Sequence, residues 1–391
     1  MAVSSTNVLT HMPTPAAIGR AIRERREELG LTQSRVAALA EIPAAQTISE
    51  IEKGRREVKA HELVRIAGVL HTNVDVLLGL RPAPKHARVL WRRGTQPEDR
   101  TREAQLLERA RRYAQLEEWC GEPPAQPLPN VQFDPAVASW ISVAALADQM
   151  RRLFDLGSIP AAALQRTLEE SYGVKIFVEP LEGNQAGACV RFEFGAAVLL
   201  NGADPPWRRN FSLAHELFHL VTWDAIETAW EKGPRNEAGE PAWYAQLEKF
   251  ANAFASHILL PAESVIARIK SQVQNGKITF HKLATVARDF EVSIEALLYR
   301  LCNLGQLERT TVDAALTSEE LRRVTREVFR PLWRSVEHWY PERFLKLAAR
   351  AYQRGVVGKS VLAKYLEMTY AELETFDLGE PHGSEATLSI A

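Results

Sequence analysis

Residues 211–223 read Phe-Ser-Leu-Ala-His-Glu-Leu-Phe-His-Leu-Val-Thr-Trp, and the five in the middle, His215-Glu-Leu-Phe-His219, decide how the chain is read. On a helix four residues subtend about 400°, so His215 and His219 stand one turn apart on the same face. Two neutral imidazoles so placed can grip one Zn²⁺, with Glu216 in reach of a water in the open coordination position. The mostly apolar flanks suit a helix that carries this pair into a core. The competing reading is a buried helix whose histidines merely find hydrogen-bond partners.

A third ligand separates the two readings. The later stretch 246–261, Gln-Leu-Glu-Lys-Phe-Ala-Asn-Ala-Phe-Ala-Ser-His-Ile-Leu-Leu-Pro, places Glu248, Asn252 and Ala255 at steps of four and three, on one helical stripe. Glu248 is the expected third ligand, and Asn252, a turn later, is expected to orient a ligand. His257 follows Glu248 by about 900° of helix, which turns it to the opposite face and assigns it a structural role.

The run Arg209-Asn-Phe-Ser-Leu-Ala-His-Glu-Leu-Phe-His-Leu220, with Glu248-Lys-Phe-Ala-Asn-Ala-Phe-Ala255, Leu-Leu-Pro261 and Val292-Ser-Ile-Glu-Ala-Leu-Leu-Tyr-Arg-Leu-Cys-Asn-Leu-Gly305, resembles the ImmA/IrrE family of zinc metallopeptidases. The likeness covers roughly residues 140–307. It departs at Phe218, where the family usually has Gly, and a bulky side chain there is expected to narrow the substrate groove. The resemblance implies limited proteolysis of a partner protein, typically a repressor.

The chain has 391 residues, 46% of them hydrophobic, enough for two to three domains with real cores. Cys120, Cys189 and Cys302 are scattered and odd in number, which points to a reducing compartment rather than a disulfide framework. No apolar run approaches a membrane span and the N-terminus lacks a leader pattern, so the expectation is a cytoplasmic protein without membrane contact. The net charge of −1 hides an asymmetry. Residues 1–115 carry 20 Lys+Arg against 13 Asp+Glu, about +7, and the remainder is about −8, so only the N-terminal end is suited to a polyanion.

That basic end has the pattern of a small helical bundle. Ile18, Ile22, Arg26 and Leu29 begin an amphipathic helix that Gly30 can stop, and Thr32 is the expected cap of a second helix carrying Val36, Leu39 and Ala40. After Ile42-Pro43 a third helix is expected from about 44 to 53, closed by Gly54, followed by helices over 60–70 and 74–78. Five short helices with a tight break between the second and third make a helix-turn-helix arrangement. Leu31-Thr-Gln-Ser-Arg-Val-Ala37, Thr47-Ile-Ser-Glu-Ile-Glu-Lys-Gly-Arg55, Leu63-Val-Arg-Ile-Ala67 and Val76-Leu-Leu78 resemble the XRE family of phage-repressor-like DNA-binding domains, with Glu41 in place of the usual turn Gly and one extra residue before Ile48.

Within that helix-turn-helix, Gln46 suits the paired amide contact that adenine offers, and Thr47 and Ser49 suit single hydrogen bonds to base edges. Gln33, Lys53, Arg55 and Arg56 are the candidates for phosphate contacts on double-stranded DNA. Glu50 on the same helix is an unfavourable neighbour for DNA. Operators with matched half-sites leave a homodimer open, although no dimer seam is legible.

Between the modules, a charged helix is expected from about 97 to 119, and 121–129, Gly-Glu-Pro-Pro-Ala-Gln-Pro-Leu-Pro, reads as an extended spacer. The runs Arg88, Arg92, Arg93 and Arg109, Arg111, Arg112 read as solvated faces rather than as an extension of the DNA footprint. Helices near 139–155 and 160–171 precede β-branched runs at 174–178, 187–194 and 197–200, which suggest a small sheet packed on the metal-bearing helix. Helices are expected again at 318–328, 341–354 and 360–376.

The expected fold class is therefore α+β and predominantly helical. It comprises a flexible N-terminus (1–14), a five-helix helix-turn-helix domain (15–80), a charged helix with a Pro-rich linker (81–135) and a zincin-like metallopeptidase domain with a small β-sheet (136–309). A helical C-terminal region (310–379) and a disordered tail (380–391) complete it. The expected function is a DNA-binding regulator whose Zn²⁺, held by His215, His219 and Glu248, serves peptide hydrolysis with Glu216 as base, in a stress or mobile-element response. Tyr244 or an arginine is the candidate oxyanion donor. The alternative is a non-proteolytic transcription factor or antitoxin-like protein that uses the peptidase fold as a sensor or partner surface.

Overall fold

Thr14 and Pro15 begin the first helix. The Thr14 hydroxyl accepts a hydrogen bond from the Ala17 amide, and proline at the first helical position has no amide hydrogen to satisfy. The structure is a computed structural model, and it describes residues 13–81, 87–92, 99–182, 185–193, 195–230, 232, 234–236, 241–330 and 340–376. The expected tail at 380–391 and nearly all of the expected flexible N-terminus lie outside the described residues, as does Arg93. The chain divides into two compact units, Met1–Ala87 with Thr95–Arg109, and Arg88–Gly94 with Ala110–Ala391.

The first unit contains α1 (Pro15–Glu28), α2 (Gln33–Leu39), α3 (Ala45–Glu52), α4 (Ala60–Val69) and α5 (Val74–Leu77). Thr32 caps α2 as expected, and Gly30 and Gly54 take the left-handed conformation that ends α1 and α3. Glu41, in the turn where the related domains have Gly, also adopts positive φ, at 52°. Ile22, Val36, Ile48, Ile66 and Leu70 form a core with no solvent exposure. A Cβ on Gly19 would fall 2.1 Å from the Ile51 carbonyl oxygen, so the close crossing of α1 and α3 requires glycine. Arg26 donates to both oxygens of Glu52, at 2.6 and 3.1 Å, and Gln33 donates to the same carboxylate at 2.7 Å. One buried acid thus ties α1, α2 and α3 together.

After β1 (Leu90–Arg92), α6 (Asp99–Cys120) begins in the first unit and continues in the second. It is not the solvated linker helix its composition suggested. Ala104 joins the first core, and Leu106, Ala110, Tyr113, Leu116 and Cys120 are buried. The arginines expected on a solvated face follow suit: Arg109 is buried, and Arg112 donates to the Lys364 carbonyl and pairs with Glu367. Alternating charge hid an apolar stripe at steps of three and four. The Pro-rich stretch is likewise no free spacer, because Gln126 donates to the Ser171 carbonyl and Leu128 accepts from Arg191.

The second unit continues with α7 (Trp140–Leu153), α8 (Pro160–Glu170), β2 (Lys175–Glu179), β3 (Gly187–Phe192), β4 (Gly195–Asn201), α9 (Pro206–Val221), α10 (Trp223–Trp230), α11 (Tyr244–Leu259), α12 (Ala262–Gln272), α13 (Phe280–Asp289) and α14 (Ile294–Asn303). Then come α15 (Arg309–Thr317), α16 (Glu319–Phe329), α17 (Glu342–Gln353), α18 (Lys359–Leu366) and α19 (Tyr370–Thr375), so the helix expected over 360–376 is two, broken at Glu367 with φ 52°. The sheet order is β1-β3-β4-β2, with β2 parallel to β4 and the other pairs antiparallel. The three expected strands are present, and β1 is an addition. It pairs Leu90 with Cys189, Trp91 with Ala188 and Arg92 with Gly187. Helix α9 packs on β3 and β4, and α11 packs on α9 and α7, so the histidine helix lies between the sheet and the helix of Glu248. Among the described residues no single helix is long and apolar enough to cross a membrane.

Candidate metal centre and nucleic-acid interface

Helix α9 is buried over its second half because its apolar residues face two layers, the sheet on one side and α11 on the other. His215, Glu216 and His219 are 0%, 1% and 2% exposed. The Glu248 carboxylate approaches from α11, 3.2 Å from His215 Nε2 and 3.1 Å from His219 Nε2. The two Nε2 atoms are 3.2 Å apart. Zinc bonds of ~2.0–2.1 Å at tetrahedral angles would put ligand atoms ~3.3–3.4 Å from one another, so the cluster has the span of a single small cation. Among the described residues these three form the one group of His, Cys, Asp and Glu side chains close enough to hold a metal.

Electrostatics favour the ligating forms of His215 and Glu248, whereas at His219 burial is outweighed by Glu248 and Glu216, which raise that imidazole and favour its protonated form until a cation displaces the proton. Burial, only partly offset by Glu248, pushes His215 down to about 4, which keeps its imidazole neutral. Burial opposes the charge of Glu248, yet His219 and His215 beside it hold its carboxyl well below the ordinary range. Glu216 behaves differently: burial pushes its carboxyl up to about 7, the Cys189 thiol bonds it, and its Oε1 has no partner among the described residues. A Cβ on Gly187 would lie 3.4 Å from that oxygen, so strand β3 runs directly along Glu216. A carboxylic acid poised near neutrality beside a cation site can take up and return a proton.

Asn252 stands where its spacing from Glu248 indicated, with Oδ1 3.1 Å from His215 Nδ1. His257 is on another face and stands 3.1 Å from the Arg300 guanidinium. Phe218 does not narrow a groove, contrary to expectation. It is fully buried, edge-on to Phe133 at 5.2 Å and beside Phe254 at 5.6 Å, because its position on α9 points into the core between α9 and α11. Tyr244 is buried in an aromatic group with Trp230 and Trp243. The residue that sequence reasoning missed is Arg92. It donates to Ser212 Oγ at 2.8 Å and to Asn252 Oδ1 at 3.2 Å. In the sequence it was one arginine of a basic run, and only the pairing of β1 with β3 brings it to this site.

On the helix-turn-helix, Gln46, Lys53 and Arg55 are exposed and Thr47 is half-buried. Gln46 donates to Glu50 at 3.0 Å, so its amide nitrogen is shared with that acid. Ser49 is 9% exposed on the inner face of α3, so the base contact expected of it is withdrawn. Gln33, half-buried, donates to Glu52, and half-buried Arg56 donates to both oxygens of Glu62 at 3.0 and 2.8 Å.

Residues 169–302 match the model of a peptidase family described as the IrrE N-terminal-like domain, and residues 22–77 match the helix-turn-helix family model. The chain therefore carries an XRE-type helix-turn-helix segment followed by an IrrE/ImmA-like domain. No curated protein matches it. Strand β1, α6, α7 and α15 to α19 lie outside both matched stretches.

Proposed function

We propose that this chain is a DNA-binding regulator whose second unit is a zinc metalloendopeptidase acting on a partner protein, with a repressor as the expected substrate. The observation that carries this reading is the convergence of His215, His219 and Glu248 within single-ion distance, with Glu216 one residue from the first ligand and shifted to about 7. Bound zinc supplies Lewis-acid polarisation of a carbonyl and acidifies a water. Glu216, one residue from the first ligand, would take that water's proton and return it to the leaving amine. Asn252 holds His215 with its Nε2 directed at the site. The helix-turn-helix brings this activity to DNA, or to repressors bound there, and cytoplasmic residence fits that role.

The test uses the purified full-length protein. It should contain close to one zinc per chain, and Glu216→Gln should keep the metal while losing cleavage of a co-expressed repressor. Cleavage unchanged by Glu216→Gln would falsify the protease assignment. The near-complete burial of Glu216 favours one alternative, a regulator that holds the metal as a sensor and cleaves nothing. Full zinc content without cleavage by the wild-type protein would select it.

A further inference from the structure

The two helices that carry the candidate ligands are bridged by a residue from outside the matched peptidase-like stretch. Arg92 ends β1, a three-residue strand at the edge of the sheet, whose partner at that position is Gly187. In sequence, residues 88–92 lie between two segments of the first unit, yet they belong to the second. Arg92 reaches α9 through Ser212, which is fully buried one turn before Glu216, and α11 through Asn252, one turn after Glu248. Its guanidinium therefore braces both helices that carry ligands.

The hydrogen-bond chemistry makes this brace directional. Arginine has donors only, so the Asn252 atom it meets must be the amide oxygen. The same atom is 3.1 Å from His215 Nδ1, which must then carry the ring proton and donate it. The consequence is that His215 Nε2 presents a lone pair to the position a cation would take beside Glu248 and His219. Without Arg92 the Asn252 amide is free to turn its nitrogen toward His215, which would invert the tautomer and direct a proton at the cation site.

We propose that Arg92 is a positioning residue of the metal centre, acting through Asn252 to fix the tautomer and orientation of His215. Strand β1, outside the matched peptidase-like stretch, is thereby part of the metal centre. This rests on reading the His215, His219 and Glu248 cluster as a metal site.

The experiment is a titration of apo full-length protein with Zn²⁺ against a competing chelator, for wild type, Arg92→Ala, Arg92→Lys, Asn252→Ala and the Arg92→Ala/Asn252→Ala double variant. Circular dichroism confirms that each is folded. The expected result is a zinc Kd weakened about 10-fold or more by Arg92→Ala, partly restored by Arg92→Lys, with no further loss when Arg92→Ala is added to Asn252→Ala. A purely architectural Arg92 would lower Tm and leave the zinc Kd unchanged, and that result overturns the inference. Losses that simply add in the double variant also overturn it, because Arg92 would then not act through Asn252. If wild type takes up no zinc, the metal reading itself fails, an outcome distinct from either.

Discussion

His215 and His219 bring their Nε2 atoms to 3.2 Å of each other in a part of α9 that solvent scarcely reaches. Two inward ring nitrogens beside a carboxylate form a site that gains from a cation. Zinc at about 100 times its Kd is therefore expected to stabilise the protein by about 2.7 kcal/mol. The gain should disappear with chelator and in His219→Ala. Thermal unfolding with and without zinc reads this directly, and a wild-type Tm indifferent to zinc would contradict it.

Phe218 fills the space between α9 and α11 rather than a substrate groove. Phe218→Ala is expected to cost about 3–5 kcal/mol, the usual range for deleting a buried aromatic ring. The denaturation midpoint should fall accordingly. A near-neutral result would mean that the ring is not packed as described.

Glu169 on α8 is buried with Oε1 unpartnered among the described residues, and burial pushes its carboxyl up to about 7. A raised folded-state pKa means that the protonated acid is tolerated and the charged one is not. Stability is then full below the ordinary carboxylate range, falls as pH rises from there to about 7, and levels off above it. Glu169→Gln should remove that loss, making the variant more stable than wild type at pH 8 by on the order of 3 kcal/mol. The difference should close at pH 4. Parallel stability–pH curves for the two proteins would refute the assignment.

DNA binding should depend on the exposed residues of α3 and its C-terminal turn. Gln46→Ala and Arg55→Ala are expected to weaken binding. Ser49→Ala should leave base preference unchanged, because Ser49 faces inward. Affinity should fall steeply between about 50 and 200 mM salt, since phosphate contacts release counterions. Fluorescence anisotropy across that range measures both effects, and salt-independent binding would favour a protein-interaction surface instead.

Much of the fold was legible because its signals are local. Caps and stops such as Thr32, Gly30 and Gly54 act within a few residues, and the period of α9 placed His215 and His219 together without knowledge of anything else. The pairing of Glu248 with Asn252 on α11 was legible for the same reason. Helix α6 was misread because alternating Arg and Glu dominate its composition, while what it buries depends on the helices packed against it. Ser49 faces inward, and Gln33 and Arg56 have partners within the fold, for a similar reason. A polar residue type does not say whether its partner is DNA or, as with Glu52 and Glu62, another side chain of the same fold.

The sequence by itself determined the helix that carries the histidines, the spacing of the candidate ligands along each helix and the five-helix order of the first unit, because 3.6-residue periodicity and end-capping are short-range. Only the tertiary structure decided that Glu248 meets His215 and His219, that Phe218 belongs to the core and that Arg92 reaches Asn252 across 160 residues of chain. Those contacts arise from how β1 pairs with β3 and how α9 settles between the sheet and α11. Such packing is set by the sum of many weak, non-local contacts, and no residue's immediate neighbours record it.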